Sequence, residues 1–185
     1  MPSLKEKYKK EAVPQLMAKF GFKNKMAVSQ IKKVSINTCF GRDAMSKTSG
    51  EREKMQDFIL NDMASITGQK PKLIKAKKSI AGFKLREGIA IAAMVTLRKQ
   101  KMWDFLERLI YLSLPRSRDF KGLDPKMIDK KGNLNIGLRE HIFFPEIFAE
   151  KEKTIFGLEI TVVTNAKTKE QGLELYKLLG FPMKN

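Results

Sequence analysis

Between Asp62 and Glu87 the chain runs 24 residues without a carboxylate, and it places Lys70, Lys72, Lys75, Lys77, Lys78, Lys84 and Arg86 around Ser79-Ile80-Ala81-Gly82-Phe83. Cations of one sign at this spacing repel one another unless they are solvated or held against a polyanion. The chemistry open to them is non-covalent. Lysine ammonium groups act as point charges on phosphate and read no sequence, and small residues at the turn let a backbone come close. The pattern points to polyphosphate as the partner.

The imbalance extends beyond this run. Residues 1–100 carry 22 Lys or Arg against 8 Asp or Glu, whereas residues 101–185 carry 15 against 12, so the excess of +14 in the first part falls to +3 in the second. With a pI near 9.9, a one-sided distribution of this kind favours nucleic acid as partner. A membrane surface fits less well, because the cations do not line one face of a long amphipathic helix and no lipidation signal is present. The longest apolar stretch, Ile89 to Val95, is far below membrane-spanning length, and Met1-Pro2-Ser3-Leu4-Lys5 has no apolar targeting core. One cysteine, Cys39, permits no internal disulfide and fits a reducing compartment, so the expected location is the cytoplasm.

Catalytic chemistry finds little support. His141 is the sole histidine and Cys39 the sole thiol, so a Cys-His dyad requires these two to meet in space, and no His or Cys metal cluster can form. Gly82 and Gly88 lack the Gly-Lys-Ser/Thr ending that cradles a nucleotide. Asp57 with Asp62, and Glu146 with Glu150, read as solvated charges rather than a two-metal centre. No cofactor and no enzymatic activity are expected.

The elements that must position the basic run follow from periodicity. At 185 residues and 42% hydrophobic content the chain can bury one core, and a single domain over 1–185 is expected. Leu4, Tyr8, Ala12, Leu16 and Phe20 recur at helical spacing, with Pro14 kinking or restarting the helix and Gly21 ending it. Val34, Ile36, Thr38 and Phe40 alternate with Ser35, Asn37 and Cys39 as a strand. Thr48 and Glu51 form a capping box before a stripe of Met55, Phe58, Ile59, Met63 and Ile66, which Gly68 stops. Residues 70–78 and 88–98 read as two strands joined by the basic hairpin loop 70–88, with Ile89, Ile91, Ala93, Val95 and Leu97 inward and Met94, Thr96 and Arg98 outward. Met102, Phe105, Leu106, Leu109, Ile110 and Ser113 form a third helical stripe, ended by Pro115. Trp103, beside Lys101 near the start of that helix, fits burial and exposure equally. The stretch 115–133 reads as a long loop and hence as a contact candidate. Strands follow near 134–138 and 156–162, and Thr168 with Gln171 caps a last helix closed by Gly180 and Pro182.

This order is that of an α+β fold: an antiparallel sheet with helices on one face, a ferredoxin-like or RNA-recognition-like core extended by an N-terminal helix and an inserted loop and strand. The outward face presents Asn37, Thr96 and Arg98, amide, hydroxyl and guanidinium groups suited to base edges, ribose hydroxyls and phosphate. Paired aromatics for stacking bases are missing there, so single-strand stacking is not the expected mode.

Taken together, Ile66-Thr67-Gly68-Gln69-Lys70-Pro71, the segment Lys77 to Gly88, Val95-Thr96-Leu97-Arg98, Leu114-Pro115-Arg116-Ser117-Arg118-Asp119-Phe120-Lys121-Gly122 and Phe144-Pro145-Glu146-Ile147 resemble the bacterial large-subunit ribosomal protein five family. The resemblance runs from about Leu4 to Met183. It implies a structural protein that binds 5S ribosomal RNA and large-subunit ribosomal RNA in the central protuberance, adjoins neighbouring large-subunit proteins, touches transfer RNA in the peptidyl site and bridges to a protein of the small-subunit head. On that resemblance, Asn37, Gln69, Thr96 and Arg98 match positions contacting 5S ribosomal RNA. Likewise Lys72, Lys75, Lys77, Lys78, Ser79, Gly82, Lys84 and Arg86 belong to the extension that reaches transfer RNA. The chain departs from the family at Cys39, where the first-strand pattern Asn-x-Gly-x-Gly reads Asn37-Thr38-Cys39-Phe40-Gly41, at Ile89-Ala90-Ile91-Ala92, and at Lys99, where glycine is common. Two other readings stay open: an RNA-modifying enzyme, and a general binder of structured RNA or nucleic acid acting off the ribosome.

Overall fold

A computed structural model describes residues 3–117, 120–147 and 154–184; Arg118, Asp119 and Glu150, named above, lie outside them. The helices are α1 (Leu4–Lys7), α2 (Val13–Phe20), α3 (Gly41–Ser46), α4 (Ser49–Thr67), α5 (Lys99–Arg108), α6 (Leu114–Arg116) and α7 (Lys169–Leu179). The strands are β1 (Ile31–Cys39), β2 (Lys72–Lys75), β3 (Ala90–Leu97), β4 (Leu134–Leu138) and β5 (Leu158–Thr164). The strands form one antiparallel sheet in the order β2-β3-β1-β5-β4, with helices packed on it. Placing β3 between β1 and β2, and β5 on the far side of β1, gives the split βαβ arrangement, to which β4 adds an edge. Among the described residues no helix is long and apolar enough to cross a membrane.

The chain divides into two compact units, one of Met1–Ser35, Leu97–Ile136 and Ile160–Asn185, the other of Ile36–Thr96 and Gly137–Glu159. In the first, Leu4, Ala12 and Leu16 are buried with Phe105, Leu106 and Leu109 and with Leu175, Tyr176 and Leu179. Trp103 is buried as well, its ring 5.6 Å from that of Tyr8. Burial pushes the Tyr8 phenol up to about 12, and its hydroxyl donates to Ser29 O at 3.1 Å. Tyr176 donates toward Gly132 O and Val162 O at 3.0 and 3.2 Å, so its polar end is satisfied inside the core. A side chain at Gly172 is excluded, since its Cβ would stand 2.6 Å from Gly132 Cα. In the second unit the expected stripe of α4 buries Met55, Ile59, Met63 and Ile66. Its ends are as the residues predict. Thr48 N and Thr48 Oγ1 donate to Glu51 Oε2 at 3.0 and 2.8 Å, and Gly68 takes a left-handed φ of 65°. The hydrogen bonds from Thr48 hold the Glu51 carboxyl below its ordinary value.

Four expectations need correction. First, the inward phase of β3 holds for Ala93, Val95 and Leu97 but inverts before them: Ala90 and Ala92 are buried, while Ile89 and Ile91 are half-buried. Ile74 pairs with Ala92 and Lys75 with Ala90, so Ile91 is the extra residue of a β-bulge, and the flip it causes turns Ala90 to the face of Ala93, whereas Ala92 lies beyond the bulge. The strands are also shorter than 70–78 and 88–98.

Second, Pro115 does not end the third helix, which passes through it to Arg116. A π-helical turn, Leu109–Ser113, precedes it, as Tyr8–Ala12 precedes Pro14. Widening the turn moves the carbonyl that a proline ring would strike four residues back, which is how both helices survive their prolines. Third, a short helix that the expected order of elements lacks, α3, precedes α4.

Fourth, the 115–133 loop carries structure of its own. Leu123 bridges to Met183, Asp124 Oδ1 accepts from Lys126 N at 2.8 Å, and Asp129 accepts from Lys131 N and Asn133 N at 2.8 Å each. Burial works against the Asp129 carboxylate, but these bonds and one from the Asn133 side chain outweigh it and lower its pKa.

Lys99 has φ 52°, a left-handed conformation that disfavours any residue with a Cβ. Glycine, expected here on the resemblance, adopts this conformation without that cost. Lys99→Gly should raise the unfolding free energy by about 1 kcal/mol, read as a higher urea midpoint at unchanged m-value; a lowered midpoint overturns the strain.

Candidate nucleic-acid interface

In the second unit β1 and β3 lie side by side. Asn37 is half-exposed between buried Ile36 and Thr38, and Thr96 is half-exposed after buried Val95, so both stand on the side away from the core. Directly paired residues of an antiparallel ladder share a face. Lys72 pairs with Met94, two residues before Thr96, and therefore joins this face rather than the hairpin tip. Asn37 Oδ1 is buried and has no hydrogen-bond partner among the described residues, an acceptor open to a group from outside.

Gln69 is exposed just after the left-handed Gly68. Its backbone N–H donates to Thr67 Oγ1 at 3.3 Å, and that hydroxyl donates to Met63 O at 2.7 Å, which fixes where the chain leaves the helix. Arg98 belongs to the first unit. It is the exposed, extended N-cap of α5, and its guanidinium makes no capping bond. The structure thus brings Asn37, Thr96 and Lys72 to one face; Gln69 and Arg98 are each exposed at a helix end.

The hairpin is held by its backbone. Ala76 N donates to Ile89 O and Gly88 N to Ala76 O, at 2.8 and 3.0 Å; nearer the tip Ile80 N and Leu85 O, and Leu85 N and Ile80 O, pair at 2.9 and 3.1 Å. Ser79 Oγ accepts from Glu87 N at 2.9 Å. Lys75, Lys77, Lys78, Lys84 and Arg86 are all exposed. The turn does not use Gly82 for backbone freedom. Residues Ala81–Phe83 form one 3-10 turn, and the left-handed residue is Lys84, with φ 53°. Two apolar side chains also sit at this tip, Ile80 at 45% and Phe83 at 73% exposure. Periodicity could not mark them as surface, because the tip has no buried partner strand.

Cys39 is exposed, and its thiol donates to Ile91 O at 3.6 Å. Its φ is not left-handed, so the backbone itself does not demand glycine there. His141 is fully buried and stacked on Phe156, centroids 3.9 Å apart. Its Nδ1 accepts from Phe156 N at 3.4 Å, and Nε2 lies 3.5 Å from Asp62 Oδ2. Both ring nitrogens are engaged inside the protein, as a core histidine requires. Among the described residues no group of His, Cys, Asp and Glu could hold a metal ion.

Comparison with known proteins bears on what this surface serves. A family profile described as ribosomal protein L5 matches residues 24–86, and the profile for the C-terminus of that ribosomal family matches residues 90–183. The large ribosomal subunit protein uL5 of Halothermothrix orenii is 51% identical over 182 residues, which is 98% of each chain. Its namesakes from Geotalea daltonii and Carboxydothermus hydrogenoformans are 49% identical over 100% of each chain and 46% identical over 98% of each. Identity of this order from end to end, with both profiles in sequence, means that the chain belongs to the ribosomal protein L5 family, structural and non-enzymatic proteins of the large ribosomal subunit.

Proposed function

We propose that this protein acts within the large subunit as one RNA-binding domain that clamps two RNAs. The outward face around Asn37, Thr96 and Lys72, with Gln69 and Arg98, holds 5S ribosomal RNA, and the basic hairpin reaches transfer RNA in the peptidyl site. The observation that carries the reading is the pairing of a sheet face of amide and hydroxyl groups, one of whose oxygens has no partner among the described residues, with a hairpin whose charges from Lys70 to Arg86 are all cationic. Amide and hydroxyl groups suit ribose hydroxyls and base edges, while ammonium groups suit phosphate irrespective of sequence. Large-subunit ribosomal RNA and neighbouring large-subunit proteins complete the surroundings, and the 115–133 loop faces a protein of the small-subunit head. A general nucleic-acid binder is distinguished by competition: it would take duplex DNA as readily as 5S ribosomal RNA.

Arg98→Ala should weaken 5S ribosomal RNA binding by about 1 to 3 kcal/mol, the scale of a charge-assisted contact, without altering the thermal melt. Unchanged affinity in filter binding removes Arg98 from the interface. Replacing Lys77, Lys78 and Lys84 together by Ala should leave that affinity nearly intact. It should lower transfer RNA occupancy of the peptidyl site in reconstituted ribosomes and flatten its salt dependence by about two to three counterions. Loss of 5S ribosomal RNA binding with normal transfer RNA occupancy reverses the two assignments. A photocrosslinker at Lys121 should capture a small-subunit head protein in whole ribosomes; capture of RNA alone rules that contact out.

A further inference from the structure

Beside the hairpin lies a hollow of about 450 Å³, lined by Met45 near the end of α3, by Arg52 on α4 and by Lys84, Arg86, Glu87 and Ile89. Met45, Arg52 and Ile89 are half-buried, while Lys84, Arg86 and Glu87 are exposed around it. Three cations converge from two elements far apart in sequence, against one carboxylate. Arg52 Nε donates to Thr48 O at 3.4 Å, an anchor that leaves the other guanidinium N–H groups unassigned. No carboxylate lies within ion-pair distance of Arg52, Lys84 or Arg86 among the described residues. Arg52 is a half-buried arginine whose charge-assisted donors are left for an anion from outside. Lys84 adds a second observation: it keeps a left-handed backbone conformation that a lysine disfavours, and such strain persists where the surrounding structure imposes it.

We propose that this hollow is a phosphate site for an RNA strand, in which Arg52, Lys84 and Arg86 hold one phosphodiester group and Met45 and Ile89 pack against the adjoining sugar or base. The anion is RNA rather than an acidic peptide because the chain belongs to a family of large-subunit ribosomal proteins, and Met45 and Ile89 offer an adjoining sugar or base an apolar contact beside the cations. The site rests on the reading of the chain as an RNA binder but is separate from the sheet face and from Lys77 and Lys78. It gives Arg52, outside the acid-free run, a role in RNA binding.

The test uses the full-length protein with Arg52→Gln, Arg52→Lys and, as a control, Lys54→Gln, an exposed cation of the same helix that does not line the hollow. Each is titrated across a salt series against 5S ribosomal RNA and against a large-subunit ribosomal RNA fragment, and assayed for transfer RNA occupancy in reconstituted ribosomes. Arg52→Gln should weaken one of these by about tenfold and flatten its log–log salt slope by about one, while Arg52→Lys keeps the slope and Lys54→Gln changes neither. Which RNA responds identifies the strand. A photocrosslinking residue at Met45 should capture that same RNA. Wild-type affinity and slope for Arg52→Gln on all three, in a variant with an unchanged melt, overturns the site, as does capture of protein alone from position 45. If Arg52→Gln is silent while Arg98→Ala and a double Lys77→Ala, Lys78→Ala variant respond, the hollow fails and the RNA-binding reading stands; if all are silent, the broader reading fails with it.

Discussion

The bulge at Ile91 is the point on which the candidate interface depends. Its carbonyl accepts from Phe40 N at 3.0 Å and from the Cys39 thiol at 3.6 Å, so the extra residue of β3 is tied to the end of β1. A Cβ at Gly41 would stand 3.3 Å from Ile91 Cβ, which leaves little room for a larger residue beside it. Downstream of the bulge, register sets Thr96 outward and Val95 inward; upstream, it turns Ala90 into the core and leaves Ile89 half-buried where the hairpin begins. One additional residue thus serves both the sheet face and the root of the hairpin, the use to which bulges are put where a strand must re-aim its side chains.

The hairpin answers the problem that its own charge creates. Like charges on a two-stranded extension repel, and an isolated hairpin is marginal in water. Here the stabilising contacts are backbone pairs at Ala76, Ile80, Leu85 and Gly88 and the bond from Glu87 N to Ser79 Oγ, not ion pairs. The cations are therefore not neutralised from within. That arrangement costs local stability and suits an element completed by a polyanion, because binding releases both the repulsion and the counterions.

The first unit solves a different problem, the passage of two helices through prolines. Pro14 and Pro115 are each preceded by a five-residue π turn, and the residues at helical spacing remain buried on either side, from Leu4 to Leu16 and from Met102 to Leu114. A close backbone approach, Gly172 against Gly132, then lets α7 settle where Tyr176 can reach two carbonyls.

The residues alone determined the elements with strong periodicity and paired caps. The buried stripes of α4 and α5, the Thr48–Glu51 capping box, the left-handed stops at Gly21, Gly68 and Gly180, and the alternation of β1 are local matters of spacing and hydrogen-bond chemistry, and the exposed cations of 70–88 are local matters of charge. Tertiary structure decided the rest, because the forces responsible act between segments distant in sequence. The inverted phase at Ala90 comes from pairing with β2, and the placement of Lys72 on the face of Thr96 comes from its cross-strand partner. Nothing near Arg52 in the sequence shows that Lys84 and Arg86 share its hollow, and only folding sets the three beside one another.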